Sequence, residues 1–187
     1  MPQVFTSPRP FRAHARALAL LFLLPVAQAS AQNESSVKAS QTGSVSQEVG
    51  KTKILITYDR PVARGRELFG SLVKWGETWT PGANWATTID LSENVTVDGQ
   101  SLNKGKYSIW SIPGAEQWTL IFSKKDRVFH RTYPEGDDAL RIQVKPATGE
   151  HMEALAYYFP VVGPDSAVVR IHWGPTVVPF TIRTTKQ

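Results

Sequence analysis

The stretch KYSIWSIPGAEQWTLIF, residues 106–122, decides the fold class. Within it, residues 106–112 are apolar on both faces, with Tyr107 and Ile109 opposite Trp110 and Ile112, which predicts a central strand covered on both sides. Pro113-Gly114 then predicts a turn. Residues 117–122 place Trp118, Leu120 and Phe122 on one face at period two, as a half-exposed antiparallel strand requires. The chain on either side repeats the pattern. Upstream, Ile54, Ile56 and Tyr58 share one face of a strand over 53–58, which follows a first strand over 44–49 and a turn at Gly50-Lys51. Residues 87–91 place Ile89 and Leu91 inward and Asp90 outward, and 95–97 run into Asp98-Gly99, a strong short hairpin signal. Downstream, Leu140, Ile142 and Val144 alternate with Arg141, Gln143 and Lys145. Three further strands are expected over 152–159, 167–173 and 176–182, joined by Gly163-Pro164-Asp165 and Gly174-Pro175. Pro179 cannot donate to a ladder and so predicts a sheet edge or a bulge. His172 shares a strand face with Arg170 and reads as facing solvent. Helical periodicity is confined to 66–74, where Gly70 weakens a helix by about 1 kcal/mol relative to Ala. The expectation is an all-β, antiparallel β-sandwich of about 8–10 strands with at most a short helix.

Composition and charge narrow the function classes. At 187 residues the chain fits one domain, and its formal charge is +5. Three of the 21 basic residues, Arg9, Arg12 and Arg16, belong to an N-terminal segment with a basic start and the apolar run ALALLFLLPVA (residues 17–27). That run is too short for a permanent membrane helix, and the A-x-A sites Ala27-Gln28-Ala29 and Ala29-Ser30-Ala31 predict a cleaved signal peptide over 1–31. Without those three arginines, 18 basic residues face 16 acids, a net +2, which gives no electrostatic case for nucleic acid. No second hydrophobic stretch follows, so no membrane span is expected after signal removal. The polar, aperiodic residues 32–43 predict a disordered linker, with the β-sandwich over 44–187. There are no cysteines, which excludes disulfides, thiolate metal sites and a cysteine nucleophile. A periplasmic or secreted location is expected.

Between the strands ending at Tyr58 and beginning near Thr88 lies YDRPVARGRELFGSLVKWGETWTPGANWATT, far longer than most connections in compact domains. Arg60, Arg64 and Arg66 supply planar forks suited to carboxylate or phosphate. Trp75, Trp79 and Trp85 supply flat apolar faces, and Asn84 a two-way amide. These seven residues are the candidate ligand-binding set. A purely structural reading stands beside it: Asp59, Glu67 and Glu77 are near enough in sequence to pair with the arginines, and tryptophans in such a loop serve as plugs closing one end of a sandwich.

No catalytic motif appears. His130, His151 and His172 never fall within four residues of one another, so there is no local metal-ligand motif, and no metal or cofactor is expected. Ser71 and Ser108 lack the G-x-S-x-G elbow, and the acids show no spacing that certifies a glycosidase pair. The leading expectation is a non-catalytic exported module binding a small acidic or saccharide ligand. The alternatives are a structural or protein-interaction module of the cell envelope, and a hydrolase whose site is assembled across strands.

The residues YDRPVARGRELFG (58–70), WGETWTPGANWATT (75–88), VTVDGQSLNKGKYSIWSIPG (95–114) and WTLIF (118–122) resemble the bacterial domain-of-unknown-function family 2911. The likeness extends more loosely to IHWGPTVVPF (171–180). Family members often carry Arg after the second tryptophan of the WGETWTPGAN stretch and an acid after its asparagine; here Thr80 and Trp85 hold those places. A contact made through that arginine would therefore be lost and an aromatic surface gained. The resemblance implies an exported bacterial protein and supplies no activity, cofactor or catalytic residue.

Overall fold

The computed structural model describes residues 1–3 and 38–185. All but the first three residues of the expected signal peptide, and linker residues 32–37, lie outside the described residues. Ten strands form two antiparallel sheets. The larger has six: β1 (Gln41–Val49), β2 (Thr52–Arg60), β3 (Thr88–Leu91), β6 (Gly105–Ile112), β7 (Trp118–Ser123) and β8 (Asp138–Val144), neighbours in that order. The smaller runs β5 (Gln100–Leu102), β4 (Val95–Val97), β10 (Ser166–Thr184), β9 (Ala147–Val162). The period-two pattern explains the packing. Ile54, Ile56, Ile89, Ile109, Leu120 and Phe122 from the first sheet meet Val169, Ile171, Phe180 and Ile182 from the second in one buried cluster. Phe122 and Phe180 close edge to face, with ring centroids 6.0 Å apart.

The local signals translate directly at the hairpins. Asp98 and Gly99 both take positive φ, 42° and 83°, as the two-residue turn between β4 and β5 demands. The central strand β6 is covered on both faces: on the outer face Trp110 and Ile121 pack with Ala86 beneath Val128 and Tyr133 of the β7–β8 connection. That connection is pinned by polar contacts. Tyr133 Oη donates to Asp138, Arg141 Nε donates to the same carboxylate at 2.6 Å, and Arg141 Nη2 donates to Tyr133 Oη at 2.9 Å. Burial, then the Asp138 hydrogen bond and charge, push the Tyr133 phenol up to about 12.

Three expectations change. Strand β1 begins at Gln41, so 41–43 belong to the sheet rather than to the linker: backbone pairing with β2 and the Thr42 hydroxyl on Asp59 hold a segment with little apolar content. No helix occurs among the described residues, within the expectation of at most a short one. Over 66–74 the chain instead closes on itself, with Gly70 N–H bonded to Val73 O at 2.8 Å and Val73 N–H to Leu68 O at 2.7 Å. Gly174-Pro175 is a bulge within one long strand and not a turn, because Gly174 takes φ +57°, and a Cβ there would lie 2.7 Å from Leu68 Cδ1. The register is unbroken from Arg170 to His172, so the two do share a face, but β9 covers His172 there and buries it, its Nδ1 against Tyr158 Oη at 3.2 Å and its Nε2 against Glu150 O at 2.9 Å. Pro179 meets its expectation in an unexpected way. It lies within β10 where that strand has left β9 and not yet met β4, so no partner requires its missing N–H.

Candidate functional site

The connection from Pro61 to Thr87 is held along its length by backbone bonds. Leu155 N–H binds Pro61 O at 2.9 Å and Ala63 N–H binds Glu153 O at 2.7 Å, fastening the first turn to β9. Arg64 and Gly65 then take φ of +53° and +67°, a sharp reversal at which Arg64 is the unusual residue. Farther on, Trp79 exchanges two backbone bonds with Ser111 of β6, at 2.8 and 2.7 Å. Thr80, fully buried, donates its hydroxyl to Ile109 O at 2.8 Å and accepts Thr87 N–H at 3.1 Å. Position 80 therefore serves the backbone in this chain. Two of the loop's rings enter an aromatic box: Phe69 lies 4.9 Å from Trp118, and Trp79 stacks on Trp173 at 6.0 Å and 16°. The plug reading holds for Trp79.

The expected neutralisation of the arginines does not occur. Among the described residues the ion pairs are Lys106–Asp126, Arg141–Asp138, His151–Glu153 and Arg183–Asp165. Asp59 is buried and accepts instead from the Thr42 hydroxyl and from Asn84 Nδ2 at 2.8 Å. Arg60 Nε caps Leu155 O at 3.1 Å, and Arg66 caps Ala63 O and Val62 O at 2.9 and 2.6 Å. Glu153, which accepts Arg64 N–H at 2.7 Å, is held below the usual carboxylate range by its hydrogen bond from His151 and then by that N–H.

The seven candidate residues do not share one pocket. Arg64, Arg66 and Trp79 line a cavity of about 600 Å³, together with Glu77, His130, Arg131 and Trp173. Trp85, 48% exposed, faces a separate groove of about 430 Å³ on the outer side of the six-stranded sheet. Asn84, at φ +57°, divides the two: its neighbour Ala83 belongs to the cavity, and Trp85 belongs to the groove. Trp75 stacks on Phe69 at 6.1 Å beside a small recess near Gly114, and Arg60 lies apart with Gln41 and Ala154.

Arg131, His130 and Trp173 carry no local signal in the loop sequence. The basic run KKDRVFHR, residues 124–131, together with the length of the β7–β8 connection, could have suggested the first two. In the cavity, burial and then the Arg131 guanidinium push His130 below its ordinary value. Trp173 is buried, and its Nε1 has no hydrogen-bond partner among the described residues. Such a donor is costly unless something accepts from it. The groove brings Asp59 and Asp126 together, but both Asp59 oxygens already accept hydrogen bonds and Asp126 is paired with Lys106 at 3.7 Å. Among the described residues no group of three His, Asp or Glu could hold a metal ion.

Asn84 is the joint on which both pockets depend. Asn84→Ala removes a donor to buried Asp59 and leaves a Cβ-bearing residue with no compensating amide in the left-handed region, at an expected cost of about 2 kcal/mol. Asn84→Gly loses only the hydrogen bond and should cost about 1 kcal/mol. Urea unfolding of the two variants checks the order, and equal losses would show that the amide bond alone matters.

Neither a curated protein nor a solved structure showed a significant match to this chain. The family model described as protein of unknown function (DUF2911) matches residues 40–182, from the edge of β1 almost to the end of β10. With its sandwich, its R-P-x-x-x-G-R turn docked on β9 and its W-x-P-G-A-N segment on β6, the chain belongs to the DUF2911 family.

Proposed function

We propose that this protein is an exported, non-catalytic binding module whose loop cavity takes a small acidic ligand. The observation that carries the reading is the cavity's charge. Arg64, Arg66 and Arg131 surround it against a single described acid, Glu77, and no described carboxylate pairs with any of the three. Guanidinium forks suit carboxylate or phosphate oxygens. The volume falls in the range of small-molecule sites. Export rests on the basic start and short apolar run of residues 1–31, and intact mass of the exported protein should place its first residue at Ser30 or Gln32.

Calorimetry against mono-, di- and tricarboxylates and inorganic phosphate tests the cavity. At least one should bind saturably, with affinity lowered about tenfold or more by Arg64→Ala or Arg131→Ala and unchanged by Arg60→Ala. A bound anion raises the depressed His130 pKa, so binding takes up a proton and affinity should rise as pH falls from neutrality toward the free-state value of His130. No binding by any of these acids, or binding indifferent to both arginine variants, would sink the reading. A protein-interaction role is favoured by one observation only, the exposed Val161 and Val162 at the tip of the β9–β10 hairpin, and predicts that charged replacements there abolish partner capture.

A further inference from the structure

The groove on the outer face of the six-stranded sheet is a second built site, separate from the arginine cavity. Its floor holds Thr57 and Thr88, directly paired across β2 and β3, and neither hydroxyl has a hydrogen-bond partner among the described residues. Its wall is Trp85, set on a short backbone ladder: Trp85 bridges Phe129, Ala86 N–H binds Val128 O at 2.8 Å, and His130 N–H binds Asn84 O at 3.0 Å. The indole is therefore positioned by paired chain on both sides, and nearly half of the residue stays open to solvent. Arg127 lies with its guanidinium carbon 5.6 Å from the Trp85 ring centroid and has no acidic partner among the described residues. Lys106 and Asp126 stand at one side, paired at 3.7 Å.

These groups demand different things of a ligand. An open indole flank packs against an apolar face, two free hydroxyls want several donors and acceptors close together, and an unpaired guanidinium wants an anion. A hydrophobic acid would leave the threonines unanswered, and a neutral sugar would leave Arg127 unanswered. A sugar ring bearing a carboxylate answers all three, with its C–H face on Trp85, its hydroxyls on Thr57 and Thr88 and its carboxylate on Arg127. We propose that the groove binds an acidic saccharide of the uronate class.

Titration calorimetry of the full exported chain with a galacturonate trimer and the neutral galactose trimer tests this. The acidic trimer should bind saturably and at least about fivefold more tightly than the neutral one. Trp85→Ala should weaken that binding about tenfold, and Thr88→Val about threefold. Arg127→Gln should remove the preference for the acidic trimer while leaving neutral binding unchanged. Arg127 is exposed, so this variant carries the test even if Trp85→Ala folds poorly. Absence of saturable binding, equal affinity for the two trimers, or full affinity in Arg127→Gln would overturn the proposal. Arg64→Ala separates the two sites: uronate binding lost in that variant but kept in Arg127→Gln would place the sugar in the loop cavity and overturn the groove assignment.

Discussion

Trp79→Ala is expected to lower the unfolding free energy by about 3–4 kcal/mol, the cost of deleting a large ring from a packed box. Trp79 stacks on Trp173 at 6.0 Å and meets Phe69 and Trp118 edge to face at 5.8 and 6.3 Å, so three neighbours lose their common partner at once. The surroundings have little freedom to collapse: Trp118 and Trp173 lie on strands, and the Trp79 backbone is fixed to Ser111. Since small domains are stable by only about 5–15 kcal/mol, the variant should show a much lower urea midpoint. Trp85→Ala, at an exposed ring outside the main core, should change stability by less than about 1 kcal/mol. A Trp79→Ala protein as stable as its parent would mean that the loop does not close the sandwich, and the cavity built on Trp79 and Trp173 would lose its wall.

The second large effect is expected at Gly114. A Cβ there would stand 2.4 Å from Gln117 O, a backbone atom in the same connection that cannot swing aside as a side chain would. The turn joins β6 to β7, two interior neighbours of the six-stranded sheet, and Pro113 O in it accepts Gly76 N–H from the long loop at 2.8 Å. Reopening it to admit a methyl group should cost about 2–3 kcal/mol and loosen the loop at Gly76. Gly163→Ala is the matched comparison, since nothing lies nearer than 3.6 Å and its φ is not positive. It should be neutral or stabilising by up to about 1 kcal/mol through the unfolded chain. Equal effects of the two alanines on the denaturation midpoint would contradict the close contact at Gly114.

Much of the site's raw material was legible in the chain, but its grouping was not. Arg64, Arg66 and Trp79 were singled out by composition and do line one cavity, while Arg60 and Trp75, equally prominent in sequence, lie elsewhere. Asp59 looked like a partner for an arginine and is instead a buried acceptor for Thr42 and Asn84. Proximity along the chain is a poor guide here because four positive-φ residues within 61–76, Arg64, Gly65, Gly70 and Gly76, reverse its direction repeatedly. His172 failed for a related reason. Alternation put it on the face of Arg170 correctly, but it cannot tell that Tyr158 and Glu150 of β9 cover that face at residue 172.

By itself the sequence determined the class of fold, the central place of β6, the Asp98-Gly99 hairpin and the absence of thiol chemistry, because side-chain period and turn preference are set within a few neighbouring residues. Only the tertiary structure decided that Arg131 and Trp173 join Arg64 across a cavity while Trp85 turns away with Arg127 onto the opposite groove. Those neighbours come from segments dozens of residues apart, and their meeting depends on strand register, on the Gly174 bulge and on how two connections cross the sheet ends, none of which a local pattern encodes.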